Sequence, residues 1–178
     1  YRIVFSSSAT IYDASNNCKL RENSSIKPLN PYGFTKLAVE DFLNNLYLSN
    51  NKKWGIFILR YFNPIGAHSS GLIGENPTQI PENIFPNMCQ VGIKKREKIY
   101  VFGNDWPTKD GTCVRDYIHI MDLANAHESA LAFLIKNQPQ NIVFNIGTGQ
   151  GTSVLELITS FCNVNNCLLD FELAERRL

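Results

Sequence analysis

The sequence predicts an α/β fold built on a parallel sheet, and two observations predict it. Short apolar runs of strand length alternate along the chain with stretches whose apolar residues recur at helical spacing. The segments between them carry the Gly, Pro, Asn and Ser that end such elements. Strands separated by helices pair in parallel, because a parallel connection needs a crossover of about helix length.

Residues 3–5 form a short apolar strand that runs into Ser6, Ser7 and Ser8, and residues 13–30 form a polar loop. Asn30 caps a helix whose first residue is Pro31, where the missing N–H costs nothing. Leu37, Phe42, Leu43 and Leu46 continue that helix to about Leu48. Residues 56–61 read as a strand interrupted by Asn63-Pro64, and residues 66–81 as a loop. A helix over 84–91 and a basic turn at Lys94-Lys95-Arg96 follow. Residues 99–102 read as a strand, 103–111 as a loop and 117–120 as a strand; Asp122 is expected to cap a helix reaching Ile135. Residues 142–146 form a strand ended by Gly147, Gly149 and Gly151. Ser153 caps a helix to about Phe161, and residues 168–173 read as a final strand. The chain opens inside an apparent buried strand and stops soon after another, so we expect a piece of a larger fold.

The 178 residues suffice for one domain or parts of two. A net charge of +1 gives no field to hold nucleic acid or a membrane surface, and no apolar run approaches the roughly 18 residues of a membrane span. Five cysteines, an odd number without C-x-x-C spacing, read as reduced thiols of a cytosolic protein. His68, His119 and His127 lack a zinc-ligand spacing with them, so no metal is expected.

The sharpest local signal is Tyr32-Gly33-Phe34-Thr35-Lys36. Tyr32 and Lys36 stand i, i+4 at a helix start and project from one face. A phenol near its usual pKa of about 10 is a poor base; bringing it near neutrality needs about 4 kcal/mol. One ammonium about 4 Å away at an effective dielectric near 20 supplies roughly that, and a helix N-terminus adds a little. Such a pair can act as a general acid/base with its activator. Composition alone yields about 0.4 Tyr-x-x-x-Lys matches in this chain, so the pair needs context. The serine cluster supplies it, at the strand end where open α/β sheets place ligands. Ser8 can there share a substrate hydroxyl with Tyr32.

Longer strings carry a resemblance. Phe5-Ser6-Ser7-Ser8-Ala9-Thr10-Ile11-Tyr12 followed by Asn30-Pro31-Tyr32-Gly33-Phe34-Thr35-Lys36 resembles the extended short-chain dehydrogenase/reductases. Leu59-Arg60-Tyr61-Phe62-Asn63-Pro64-Ile65-Gly66-Ala67-His68 narrows this to the UDP-glucose 4-epimerase family. So do the runs from Phe102 through Thr112 and from Val114 through His119, with Asn145-Ile146-Gly147-Thr148-Gly149 and Arg176-Arg177. The resemblance covers nearly the whole chain.

It implies the C-terminal part of a Rossmann-like sheet with a smaller α/β substrate-binding domain. Residues 1–65 and 113–150 would belong to the sheet, 66–112 and 151–178 to the substrate side. It implies NAD as cofactor and interconversion of UDP-galactose and UDP-glucose by transient oxidation at sugar C4. Tyr32 would move the 4-hydroxyl proton, Ser8 would polarise that oxygen, and Lys36 would contact the nicotinamide ribose. Ser6, Ser7 and Tyr61 would line the cofactor. Asn63, Asn83, Ile84, Tyr100, Val101, Phe102, Arg115 and Arg177 would line the nucleotide sugar, the arginines on its diphosphate. Homodimers would form through the exposed side of residues 41–48.

Gly147-Thr148-Gly149-Gln150-Gly151 has G-x-G-x-G spacing, not the G-x-G-x-x-G of a dinucleotide loop, and reads as a tight turn. The family's glycine-rich NAD loop is not in this sequence. A related dehydratase would carry an acidic pair just after Thr10, where Ile11 and Tyr12 stand, so the epimerase reading is preferred. A non-catalytic remnant is the other reading.

Overall fold

The computed structural model describes residues 1–13 and 19–176. Its elements, in chain order, are β1 (Arg2–Ser8), α1 (Pro31–Ser49), β2 (Gly55–Tyr61), β3 (Asn63–Ile65), α2 (Ile84–Gly92), β4 (Ile99–Phe102), β5 (Val114–Arg115), β6 (Tyr117–His119), α3 (Ile120–Lys136), β7 (Asn141–Ile146), β8 (Thr152–Ser153), α4 (Val154–Asn165) and β9 (Phe171–Ala174). The fold is α/β, as expected. Two compact units share them: Tyr1–Pro64 with Ile118–Gly149, and Ile65–Tyr117 with Gln150–Leu178.

The first unit is a parallel sheet in the order β1-β2-β7. Its central strand β2 is buried from Gly55 to Arg60, as a strand covered on both faces must be. Side chains alternate between the faces. Phe57 and Leu59 pack with Val4, Ile142 and Ile146 against Ala130 and Leu134 of α3. Ile56 and Ile58 pack with Ile3, Phe5 and Val143 against Leu43 of α1. α1 begins where the cap residue Asn30 accepts from the Gly33 N–H at 2.8 Å, with Pro31 as its first residue. That start agrees with the sequence reading.

The second unit holds the parallel pair β4–β9, the antiparallel pair β5–β8, and helices α2 and α4. Met88, Val91, Ile99, Val101, Leu157, Ile158 and Leu169 form its core. A capping box opens α4: Ser153 accepts from the Glu156 N–H at 3.1 Å, and Glu156 accepts from the Ser153 N–H at 2.9 Å.

Several local expectations need correction. β1 runs on through Ser8 instead of ending at Phe5, because three serines can pair in a ladder as readily as apolar residues when their hydroxyls find partners. His119, not Asp122, caps α3; its Nδ1 accepts from the Met121 N–H at 3.2 Å, and Asp122 sits in the first turn, where its charge suits the helix dipole. α4 continues past Phe161 to Asn165, and the last strand starts only at Phe171. The two-residue strands β5 and β8 were not anticipated; they are too short to show a period.

Candidate active site

Tyr32 and Lys36 occupy the first turns of α1, which abut the C-terminal end of β1. Lys36 Nζ donates to the Ser6 carbonyl at 3.0 Å and lies 5.4 Å from the ring centroids of both Tyr32 and Phe5. The ammonium is thus anchored beside the tyrosine, and Tyr32 itself is 49% exposed. Gly33 makes this approach possible. A Cβ there would meet the Thr10 carbonyl oxygen at 2.8 Å and Pro28 Cβ at 2.9 Å.

Ser8 is buried, and its Oγ accepts from the Thr10 N–H at 3.2 Å and the Thr10 hydroxyl at 3.0 Å. With both lone pairs engaged, its hydrogen is available to donate. Tyr61 is half-buried. Burial pushes its phenol above the ordinary value, nearby Tyr32 adds to that, and the Ser6 side chain opposes it. Tyr61 therefore stays protonated at neutral pH. Ser6 Oγ lies 2.7 Å from His127 Nε2, and His127 Nδ1 lies 2.8 Å from the Leu123 carbonyl. A carbonyl only accepts, so Nδ1 carries a hydrogen, and in a neutral imidazole Nε2 accepts from Ser6.

Behind this rim lies a buried polar network. Strand alternation sends Ser6 and Ser8 to the α3 face but Ser7 and Arg60, paired across β1 and β2, to the α1 face. There Ser7 donates to Glu40 Oε1, and Arg60 holds the same carboxylate through Nη2 at 2.6 Å and Nε at 3.0 Å. Arg60 Nη1 also donates at 3.0 Å to the Tyr12 hydroxyl and to the Glu22 carbonyl. Tyr12 donates to Asn145 Oδ1 at 2.6 Å, and the Asn145 N–H donates to Glu22 Oε1 at 2.8 Å. Ser7 is fully buried. Its hydroxyl serves Glu40 from inside the packed face.

Asn63 is half-buried in β3. The remaining expected residues lie in the second unit. Asn83 is exposed ahead of α2, its carbonyl accepting from Asn87 Nδ2 at 2.8 Å. Ile84 is partly buried against the unit's core, and Val101 is buried within it. Tyr100 and Phe102, on the other side of β4, are exposed. Arg115 is exposed on β5. Arg177 lies outside the described residues.

Arg176 binds Asp105 Oδ1 at 2.7 Å and stacks 3.9 Å from the Trp106 ring centroid, fixing the loop after β4. That loop needs Gly103 (φ 85°) and Gly111 (φ 78°), where a Cβ would collide with Trp106 and with the Asn104 carbonyl. Its end is tied down by Asp110, which accepts from Ser153 Oγ, from Thr112 Oγ1 at 2.7 Å and from the Thr112 N–H at 2.9 Å. The Ser153 bond, foremost, holds the Asp110 carboxyl below its ordinary value.

Residues 1–147 match the model of the NAD dependent epimerase/dehydratase family. The chain belongs to that family. A UDP-glucose 4-epimerase of Bacillus subtilis is 47% identical over 176 residues, which are 99% of this chain and 51% of the relative. A crystal structure of UDP-glucose-4-epimerase from Stenotrophomonas maltophila, with bound NAD and formylated UDP-arabinopyranose, superposes with a TM-score of 0.94 at 47% identity. It covers 99% of this chain and 52% of that one. The Bifidobacterium longum enzyme in complex with NAD+ and UDP gives 0.91 at 39% identity, over 99% of this chain and 52% of that one. The chain spans about half the length of these relatives.

For a member of the NAD dependent epimerase/dehydratase family, the part of the site absent from the sequence reading is the support. Glu40, Arg60, Tyr12, Asn145, Glu22 and His127 were not singled out. A glutamate in a helix and an arginine inside an apolar strand carried one available signal: Arg60 interrupts a run, Ile56 to Leu59, that must be buried.

Proposed function

We propose that this chain supplies the acid–base and nucleotide-sugar side of an NAD-dependent UDP-glucose 4-epimerase that interconverts UDP-galactose and UDP-glucose in galactose metabolism. The observation that carries the proposal is Lys36, anchored on the Ser6 carbonyl beside a half-exposed Tyr32 at the end of a parallel strand. NAD, when bound, supplies a reversible acceptor for the hydride of sugar C4. The fit is partial. Lys36 and Tyr32 suit the hydroxyl-rich nicotinamide ribose, while the sequence offers no glycine-rich cradle for the diphosphate.

In this reading Tyr32 takes the 4-hydroxyl proton and gives it back after the 4-keto sugar has turned over. Ser8 donates its remaining hydrogen to the 4-oxygen as charge develops there. Lys36, anchored beside the Tyr32 ring, would contact the nicotinamide ribose. Tyr61, kept protonated, would line the nicotinamide side. In the second unit, Asn83, Tyr100, Phe102, Arg115 and Arg177 would hold the nucleotide sugar, and Asn63 would reach it from β3. Residues 1–65 and 113–150 would form the cofactor-side domain, 66–112 and 151–178 the substrate domain. The exposed apolar residues Phe42 and Leu48 of α1 support a homodimer formed through that helix. Free Cys89, Cys113, Cys162 and Cys167 suit the cytosol. No helix of the described residues is long and apolar enough to cross a membrane.

The test is a chimera in which this chain replaces its matching segment of the Bacillus subtilis relative. The chimera should turn over UDP-galactose, and Tyr32→Phe should abolish turnover while UDP binding persists. The 178-residue chain alone should show no turnover. Tyr32→Phe activity near that of the parent chimera would remove the tyrosine from this role.

A further inference from the structure

The C-terminal end of α4 brings together two thiols for which the reaction has no use. Asn166 ends the helix in the left-handed conformation, φ 48° and ψ 48°. Its own N–H and that of Cys167 both bond the Cys162 carbonyl, the latter at 3.1 Å. A 6→1 bond of this kind is the Schellman closure, which turns the side chain after the left-handed residue back onto the last helical turn. In most proteins two apolar side chains meet there; here they are Cys162 and Cys167. The Cys162 side chain acts on the Cys167 thiol, whose pKa lies above its ordinary value, from burial foremost. Their surroundings differ. Cys162 packs onto the core of the second unit, whereas Cys167 also lines two open clefts, one of about 610 Å³ bounded by Phe85, Cys89, Ile93, Phe161 and Val164.

We infer that Cys162 and Cys167 form a redox-active dithiol, which a peroxide converts to a disulfide and a thiol reductant reopens. Cys167, on the open side, attacks the peroxide: its S–H and the O–O bond break, a sulfenic acid forms and one water leaves. The Cys162 sulfur then displaces the sulfenic oxygen. The S–S bond forms, a second water carries off the proton, and the two sulfurs have given two electrons to the peroxide. The ring ties the end of α4 to the segment that enters β9. Leu169 of that segment is buried in the core, and the Asp170 carbonyl accepts from the Ile99 N–H at 2.9 Å. Oxidation therefore clamps the β4–β9 pair to α4.

The experiment oxidises the purified 178-residue chain with stoichiometric hydrogen peroxide, blocks residual thiols with iodoacetamide and maps peptides by mass spectrometry without reduction. The expected product is a Cys162–Cys167 bridge, about tenfold over any other pair, reversed by dithiothreitol and unaffected by Cys89→Ser. Asn166→Gly, which keeps the left-handed turn, should retain it, and Asn166→Val, which disfavours that turn, should slow it severalfold. A chain oxidised in guanidinium gives the reference distribution for an unfolded polypeptide. Three results would overturn the inference: a native pattern equal to that reference, a dominant Cys89–Cys167 bridge across the cleft, or both thiols fully alkylated after peroxide.

Discussion

Tyr12 and Tyr32 belong to the same unit and flank the same strand end, yet they are held in opposite ways. Tyr12 is 2% exposed, and its phenol is spent between Arg60 Nη1 and Asn145 Oδ1. Burial, foremost, pushes that phenol above its ordinary value, so it is a permanent hydrogen-bond donor at neutral pH. Tyr32 is half-exposed on the first turn of α1, with an ammonium beside its ring. What separates the two is position: one lies inside a polar network that is satisfied throughout, the other on its rim. The network makes the rim rigid enough to be useful. Glu40 and Tyr32 share α1, so the ion pair that fixes Glu40 to β2 also fixes the helix that carries the tyrosine.

The strongest way to break this arrangement is Glu40→Ala. Arg60 and Glu40 are 6% and 2% exposed, so removing the carboxylate leaves a buried guanidinium uncompensated and the Ser7 hydroxyl without its acceptor. Stability should fall by about 3–5 kcal/mol, read as a lower midpoint in denaturant unfolding. Tyr12→Phe comes next. It deletes one hydroxyl, leaves Arg60 its bonds to Glu40, and strands Asn145 Oδ1; the expected loss is about 1–3 kcal/mol by the same measurement. Tyr32→Phe should move the midpoint by no more than about 0.5 kcal/mol. A stability loss at Tyr32 equal to that at Tyr12 would erase the distinction between rim and network.

The sequence displays these two tyrosines unequally. Tyr32 is visible because its chemistry depends on local spacing: four residues to Lys36, a cap at Asn30 and a proline at the first helical position all lie within seven residues. The parallel α/β class and the start of α1 were legible for a similar reason, since alternating strand and helix runs and the Asn30-Pro31 cap are local patterns. Tyr12, Glu40 and Arg60 were not legible, because their partners lie 20 to 133 residues apart and meet only once the strands are in register. The fate of Ser7 turned on the same point. A cluster of three serines looks uniform in sequence, and only strand alternation decides which hydroxyl faces the helix that holds Glu40. At His119, a side chain that can cap through Nδ1 took the place expected for a carboxylate.

The smallest effect probes how the network holds the loop before α1. Glu22 is exposed, but its carboxylate accepts from the Asn145 N–H, and its carbonyl accepts from Arg60. The Asn145 bond is the main reason the Glu22 carboxyl lies below its ordinary value of 4.5. A carboxyl with a depressed folded-state value binds protons more readily in the unfolded chain. Its stabilising contribution is therefore present above pH 4.5 and is lost as the pH falls through the depressed value. Glu22→Gln keeps an acceptor oxygen for Asn145 while removing the titration. In unfolding curves collected from neutral pH downward, the parent should lose stability below pH 4.5 more steeply than the variant. Coincident acid limbs would mean that the Glu22 carboxylate adds nothing to the hold on the loop, and that the network ends at Tyr12 and Asn145 instead of extending to the surface.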